Sequence, residues 1–195
     1  MRRRPSLTEP PSELRSFPAR RLTPRRTLWR IHLKDNGPWW FCSDLECRFD
    51  LQAPQGTCYV AEEPLGSFVE VFTDVTLVAE EDIERRRLSA LHVPRTLRLA
   101  DCTQAASRSF GCTGEIHTTI DYELTQRWAR ALAAAGFDGI RYLVRHDPAQ
   151  RRVGLALFGE TGEAADWPDP RTEEIDEDLL LDAARRFGIR VLPRP

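Results

Sequence analysis

The chain has 195 residues, which is enough for one domain with a substantial hydrophobic core. Hydrophobic residues make up 41% and charged residues 30%, a balance typical of globular proteins that excludes a fibrous or wholly disordered chain. No apolar run approaches the roughly 18 residues that a membrane helix needs, and the N-terminus lacks the apolar segment of a signal peptide, so we expect a cytoplasmic protein without membrane contact.

The formal net charge of −2 hides a concentration of arginine at the start of the chain. Residues 1–26 contain eight arginines, two glutamates and five prolines. This composition predicts a disordered basic tail. A solvated leader is the simpler interpretation, and binding to a nucleic acid or an acidic partner is the alternative. Arginine without interleaved aromatic residues attracts phosphate only unspecifically, so nucleic acid is not the expected partner.

From residue 27 the pattern changes to that of a folded domain. Residues 27–33 have the composition of a strand in which Arg30 faces away from the aromatic side. A second strand is predicted at residues 57–61, and it leads directly to a helix that begins near Pro64. Glu70 lies well off the apolar stripe of this helix, on its polar face.

The rest of the chain mixes helices and strands without regular alternation. The predicted elements are a charged helix at residues 81–88, a strand at 96–100, a helix at 121–135 capped by Asp121, a β-hairpin formed by 139–144 and 153–158, and an acidic helix at about 172–187. No Gly-rich phosphate loop follows a strand, so neither a Rossmann nor a P-loop domain is indicated. The pattern favours an α+β fold.

Five cysteines form an odd set without a C-x-x-C pair, and we expect them to be reduced thiols. A zinc site could recruit Cys42, Cys47, Cys112 and His117, but their spacing matches no recognised ligand pattern. No metal is predicted.

Several short motifs follow one another in a definite order. They are L-W-R-I-H at 28–32, C-R-F-D at 47–50, G-T-C-Y-V-A-E at 56–62, S-F-V-E-V-F at 67–72, D-Y-E-L-T-Q-R-W-A at 121–129, G-F-D-G-I-R-Y at 136–142 and G-L-A-L-F at 154–158. Together they resemble the RES-domain family. The resemblance predicts a RES domain at residues 27–160, preceded by the tail at 1–26 and followed by a linker and the C-terminal acidic helix at 161–195.

The resemblance implies an ADP-ribosyltransferase-like fold with a mixed β-sheet core and flanking helices. It also implies a toxin that degrades NAD as its substrate, by hydrolysis or by phosphorolysis with inorganic phosphate as co-substrate, and that needs no other cofactor. An antitoxin protein is the implied partner, and a homodimer is left open.

By position, the family's site maps to Arg30, Arg48, Tyr59 and Glu70. A guanidinium matches the geometry of a phosphate, so Arg30 and Arg48 are the predicted clamp for the pyrophosphate of NAD. Glu70 would stabilise positive charge on the ribose and hold a ribose hydroxyl, and Tyr59 would stack on the nicotinamide or the sugar. Considered singly, residues such as Arg30 and Glu70 are more often solvated surface charges, and a tyrosine such as Tyr59 is more often a core residue.

The sequence departs from the family pattern at three kinds of position. Val144 stands where the family's serine is expected, and Glu46 and Cys47 replace glycines. Asp50 replaces an asparagine, and its carboxylate could repel the pyrophosphate. Two alternatives therefore stand beside an NAD phosphorylase or NAD glycohydrolase: a catalytically silent NAD-binding or interaction protein of the same fold, and an ADP-ribosyltransferase that modifies a macromolecule.

Overall fold

The structure, a computed structural model, describes residues 7–72 and 76–194. The strands in these ranges are β1 (Ala19–Leu22), β2 (Leu28–Leu33), β3 (Trp40–Phe41), β4 (Gln55–Ala61), β5 (Leu77–Ala79), β6 (Arg86–Leu91), β7 (Leu97–Asp101), β8 (Gly139–Leu143), β9 (Val153–Glu160), β10 (Gly162–Glu163), β11 (Arg171–Glu173) and β12 (Arg190–Leu192). The helices are α1 (Pro64–Val71), α2 (Glu80–Glu84), α3 (Glu115–Thr118), α4 (Tyr122–Ala134) and α5 (Glu177–Phe187), with a 3₁₀-helix at Ala105–Phe110.

Eight strands form one mixed sheet in the order β1-β7-β8-β9-β4-β2-β6-β11. Every neighbouring pair is antiparallel except β7 and β8, which are parallel. The predicted hairpin of residues 139–144 and 153–158 is confirmed, because β8 pairs with β9 in antiparallel register. The mixed sheet with flanking helices confirms the α+β fold class.

Helix α4 begins and ends where the sequence predicts. The Asp121 carboxylate caps it by accepting a hydrogen bond from the Leu124 amide at 3.0 Å. Gly136 stops it in the left-handed region at φ 84°, a conformation that costs a glycine little. The helix buries Trp128 and Leu132 in a core cluster that also contains Tyr142 from β8. This cluster forms one side of the cleft described below.

Helix α1 packs between β2 and α5. Pro64 occupies its first turn, and the buried Leu65 and Phe68 join a second core cluster with Ile31 of β2. The Ser67 hydroxyl accepts a hydrogen bond from the Ile31 amide at 2.6 Å, which ties the helix to the strand. Residues 67 and 70 lie one turn apart on the same face of the helix. The attachment therefore also fixes the position of Glu70.

The prediction of a disordered tail at residues 1–26 does not hold for residues 7–26. Strand β1 pairs with β7 at one edge of the sheet, and Leu7, Leu14 and Phe17 are each at most 3% exposed. Burial of these three side chains offsets the conformational entropy that the segment loses when it becomes ordered. The overall arginine and proline content of the segment does not indicate this burial. Residues 1–6 of the predicted tail lie outside the described residues.

Two further boundaries differ from the predictions. The helix predicted at residues 81–88 ends at Glu84, because the chain from Arg86 pairs with β2 as strand β6. The acidic helix begins at Glu177, capped by the Asp176 carboxylate, because residues 171–173 pair with β6 as β11. Pairing with a distant strand overrides local helix propensity in both places. Among the described residues, no helix has the length and apolar character that crossing a membrane requires.

Candidate active site

A cleft of about 340 Å³ lies beside α1 and the sheet strands β2, β4 and β8. This volume falls within the roughly 300–1,000 Å³ typical of small-molecule sites. The four residues singled out in the sequence, Arg30, Arg48, Tyr59 and Glu70, all contribute to its wall. The wall also contains Cys47, Ser67, Tyr122, Tyr142, Arg145 and His146. The structure thus brings the predicted residues together at one concave site.

Glu70 presents an incompletely satisfied carboxylate to this cleft. Its Oε1 is buried and makes no hydrogen bond of good geometry within the described residues. It lies 3.6 Å from Nη2 of Arg48, and the Tyr142 hydroxyl is close enough for an interaction that lowers the pKa of Glu70 against the larger effect of burial. Burial raises the pKa of Glu70, and the positive charge of Arg48 opposes this shift. A buried oxygen without a hydrogen bond is energetically costly and can be satisfied by a ligand hydroxyl.

Arg48 is held on several sides by protein groups. Its side chain is 7% exposed, Nη1 donates to the His117 carbonyl, and Nη2 forms the ion pair with Glu70. The guanidinium also lies 5.2 Å from the Tyr142 ring centroid and 5.5 Å from that of Phe49. These contacts commit Arg48 to positioning the Glu70 carboxylate, whereas contact with NAD remains a prediction.

The hydroxyl of Tyr59, a residue of the cleft wall, forms a polar pair with the buried Asp50 behind that wall. The Tyr59 hydroxyl donates to Oδ1 of Asp50 at 2.8 Å and accepts from the Phe49 amide at 2.9 Å. Asp50 also accepts from the Cys47 amide at 2.9 Å, and burial raises the pKa of its carboxyl to about 6. Asp50 is 0% exposed and does not line the cleft, so the structure gives no support to the expected repulsion of a pyrophosphate. It instead fixes the Tyr59 hydroxyl.

Arg30 directs its guanidinium away from the centre of the cleft. Nη1 donates to the carbonyls of Pro38 at 2.7 Å and Trp40 at 3.0 Å and contacts Sγ of Cys58 at 2.9 Å. Cys58 and Tyr59 are adjacent in β4, so their side chains point to opposite faces of the sheet. The placement therefore differs from the predicted clamp: the guanidinium joins β2 to β3 and β4 on the face opposite Tyr59.

Several wall residues were not identified from the sequence. The Tyr142 hydroxyl is buried without a hydrogen-bond partner among the described groups, and it lies close enough to Glu70 for that carboxylate to help raise the pKa of Tyr142, a shift dominated by burial. The G-I-R-Y motif contains this residue, but nothing in the motif indicates where its hydroxyl points. Arg145 and Tyr122 come from separate segments that only the fold brings together.

The position expected to hold the family's serine does not face the cleft. Val144 is fully buried in the cluster around α1 and is absent from the cleft wall. A hydroxyl is nevertheless present in the wall, because Ser67 contributes one from α1. Although the expected serine is absent, the cleft wall therefore contains a serine hydroxyl from helix α1.

The wall offers neither a thiolate nucleophile nor an evident metal site. Cys47 is exposed as a residue, but desolvation of its thiol and the nearby Asp50 carboxylate raise its pKa, so the sulfur stays protonated and weakly nucleophilic near neutral pH. Within residues 7–72 and 76–194, no group of three or more His, Cys, Asp or Glu side chains is arranged to hold a metal ion.

Comparison with known proteins agrees with this picture. The family model described as RES domain matches residues 27–182. Among solved structures, the chain is similar to one from the "M.tuberculosis MbcT-MbcA toxin-antitoxin complex", with a TM-score of 0.63 and 16% sequence identity over 87% of this chain and 91% of that chain. At this identity the likeness shows a shared fold. A comparison with curated proteins gives no match.

Proposed function

Because the chain belongs to the RES-domain family, we propose that it is a toxin-like enzyme that binds NAD in the cleft and cleaves the bond between nicotinamide and ribose. One observation carries the proposal: the Glu70 carboxylate lies in the cleft wall, held by Arg48, with a buried oxygen that has no hydrogen-bond partner among the described residues. The rest of the wall is mainly aromatic and apolar, as small-molecule sites usually are.

The chemistry needs a negative charge beside the sugar. The bond between ribose C1′ and the nicotinamide nitrogen breaks, its electron pair leaves with the nitrogen, and the sugar gains positive charge in the transition state. The Glu70 carboxylate would stabilise that charge. A water oxygen then bonds to C1′ and releases a proton to solvent, giving ADP-ribose. Inorganic phosphate as the acceptor would instead give ADP-ribose phosphorylated at the same carbon.

The neighbouring groups suit this role of Glu70. Arg48 favours the ionised carboxylate, which is the form that stabilises a cation, and so opposes the effect of burial on the pKa of Glu70. Tyr59 belongs to the cleft wall and its hydroxyl is fixed by Asp50, so the ring would be held in position to stack on a flat ring or a sugar. No covalent intermediate with the protein is required.

An assay of NAD loss tests the proposal. Purified wild type, incubated with NAD in the presence and absence of phosphate, is expected to release nicotinamide, and Glu70→Gln is expected to do so at least about 100-fold more slowly. Glu160→Gln is the matched control, because this exposed glutamate at the end of β9 lies outside the cleft wall. Equal rates for wild type and Glu70→Gln, or no loss of NAD, would contradict the proposal.

The toxin-like part of the proposal draws on the similar solved structure, which is a toxin–antitoxin complex. We expect growth arrest when the wild-type chain is expressed, no arrest with Glu70→Gln, and relief by a partner protein that covers the cleft. Normal growth with an active wild type would show that NAD cleavage does not act as a toxin in that host.

Val144 keeps a second candidate open, a catalytically silent NAD-binding protein of the same fold. NAD binding without turnover would support it. Transfer of ADP-ribose to a macromolecule is the third outcome, and NAD labelled in the adenosine half would show it as label retained on protein or nucleic acid.

A further inference from the structure

Three arginines contribute to the cleft wall, and two of them are committed to protein partners. Arg30 binds two carbonyls and a sulfur on the opposite face of the sheet. Arg48 binds the His117 carbonyl and the Glu70 carboxylate. To clamp a phosphate in the cleft, Arg30 would have to leave the opposite face of the sheet, and Arg48 would have to give up buried contacts, which is costly. The anion-binding group of the cleft is therefore expected to be a residue other than Arg30 and Arg48.

Arg145 is the third arginine, and it has a different environment. Within the described residues its guanidinium makes one hydrogen bond, from Nη1 to the neutral hydroxyl of Tyr122 at 3.3 Å. Both side chains belong to the cleft wall. The positive charge of Arg145 also lowers the pKa of Glu70, against the larger effect of burial, so the two groups are within electrostatic reach. Most of the donors of Arg145 remain available to a ligand.

The backbone that carries Arg145 is held in place from both sides. The preceding residue, Val144, is fully buried, and its amide donates to the Arg152 carbonyl at 2.9 Å. Asp147 is 4% exposed, and its carboxylate accepts from the amides of residues 149, 151 and 152 at 3.0, 2.7 and 2.9 Å. A loop fixed in this way presents the guanidinium at a defined position, which lowers the entropy cost of binding.

We propose that Arg145, supported by Tyr122, is the anion-binding residue of the cleft and binds the phosphoryl oxygens of the ligand. The identity of that ligand as NAD rests on the proposed function. A guanidinium offers paired donors that match two phosphoryl oxygens, and a charge-assisted hydrogen bond is stronger than the present bond to a phenol. Two sources share this chemistry, the diphosphate of NAD and free inorganic phosphate acting as co-substrate. The diphosphate is the source we expect.

Ligand binding, measured separately from catalysis, tests the proposal. The Kd for ADP-ribose, which carries the diphosphate but no cleavable nicotinamide, is measured by calorimetry together with that for nicotinamide riboside, which carries no phosphate. Arg145→Ala is expected to raise the Kd for ADP-ribose about 10- to 100-fold and to leave that for nicotinamide riboside within about twofold. Arg145→Lys, which keeps the charge but loses the fork, is expected to fall between.

Two control variants separate binding from structure. Arg151→Ala removes an exposed arginine of the same loop that lies outside the cleft wall, and its Kd for ADP-ribose is expected within about twofold of wild type. Tyr122→Phe removes the present partner of Arg145 without removing charge, and a smaller loss than that of Arg145→Ala is expected. Equal weakening of ADP-ribose and nicotinamide riboside by Arg145→Ala would show a structural role and overturn the proposal.

The remaining outcomes are also decisive. An unchanged Kd for ADP-ribose in Arg145→Ala overturns the proposal, even if the wild type cleaves NAD. If the variant instead raises only the KM for inorganic phosphate in the cleavage assay, the anion site stands and its ligand is the co-substrate. If wild type binds ADP-ribose through Arg145 but never cleaves NAD, the anion site stands and the proposed function falls.

Discussion

At the scale of single residues, Arg48 and Glu70 stabilise each other, because each supplies the opposite charge that the other needs in a largely buried position. Arg48 is 7% exposed and Glu70 22%, so removing one partner leaves a largely buried charge without its partner. The carboxylate is the group proposed to act on the sugar, and the guanidinium holds it in place. Stability and activity are therefore coupled at this pair.

Replacement of Arg48 by methionine tests that coupling. Arg48→Met is expected to lower the free energy of unfolding by up to about 3–5 kcal/mol, because Glu70 then lacks its counter-charge. NAD cleavage should fall along with it. The double variant Arg48→Met/Glu70→Gln should regain part of the stability but none of the activity, as measured by urea denaturation and nicotinamide release. Additive losses of stability would show that the two side chains do not interact.

Asp50 gives a prediction about pH. Its pKa is raised from 3.8 to about 6, mainly by burial, so between these values the folded protein holds a proton that the unfolded chain has released. The contribution of this group to stability therefore falls as the pH rises through that window. Asp50→Asn removes the titration.

Urea denaturation at two pH values measures this effect. From about pH 5 to about pH 7.5, the free energy of unfolding of wild type relative to Asp50→Asn should fall by about 1 kcal/mol. Comparison with the variant cancels other titrating groups, such as His117, whose pKa burial lowers to about 4. A difference between the two proteins that does not depend on pH would contradict the raised pKa.

The sequence could predict that Arg30, Arg48, Tyr59 and Glu70 lie close together, but not the directions of their side chains. The order of motifs brought Arg30, Arg48, Tyr59 and Glu70 together, and all four line one cleft. That Arg30 points to the other face, and that Asp50 is buried, depends on the pairing of β2 and β4 and on the turn at residues 47–50. A local motif does not determine how distant strands pair, and so it does not determine which way these side chains point.

At the scale of elements, the N-terminal segment is part of the core. Phe17 is 2% exposed, and its ring centroid lies 5.2 Å from that of Phe110 and 6.2 Å from those of Trp128 and Phe137. It therefore closes the same cluster that carries Tyr142 of the cleft. The segment supports the site from behind.

Phe17→Ala distinguishes an integrated segment from a solvated tail. We expect a loss of about 3–5 kcal/mol in the free energy of unfolding, because the substitution leaves a cavity among aromatic rings. Arg21→Ala, at an exposed position of β1, should change it by no more than about 0.5 kcal/mol. Thermal denaturation followed by circular dichroism measures both. A Phe17→Ala variant as stable as wild type would show that the segment is a solvated tail and not part of the core.

Elements with strong local signals were predicted correctly, whereas strands β1 and β6, which depend on distant partners, were not. Helix α4 has a capping aspartate and a terminating glycine, and β8 and β9 form a local hairpin. Strand β1 exists because β7, far along the chain, offers its edge, and β6 exists because β2 does. Neither partner is visible in a window of the sequence.

At the scale of the whole molecule, the C-terminal segment supports the helix that carries Glu70. Leu179 and Ala183 of α5 are buried in the cluster formed with Phe68 of α1, and β11 extends the sheet beyond β6. Residues 161–194 are thus integrated with the domain rather than appended to it as a linker and a helix. The wall of the cleft is formed by residues between 30 and 146, and the segments near both ends of the chain support it through the core.

The two outermost strands of the sheet, β1 and β11, both lie outside residues 27–160. A fragment cut to those residues would leave β7 and β6 with rows of unpaired amides and carbonyls, which other copies can pair with. We expect this fragment to form aggregates that light scattering detects, whereas the chain that keeps both strands should elute as a single narrow species. The short outer strands would then prevent self-association by covering the edges of the sheet, a role distinct from any contribution to the cleft.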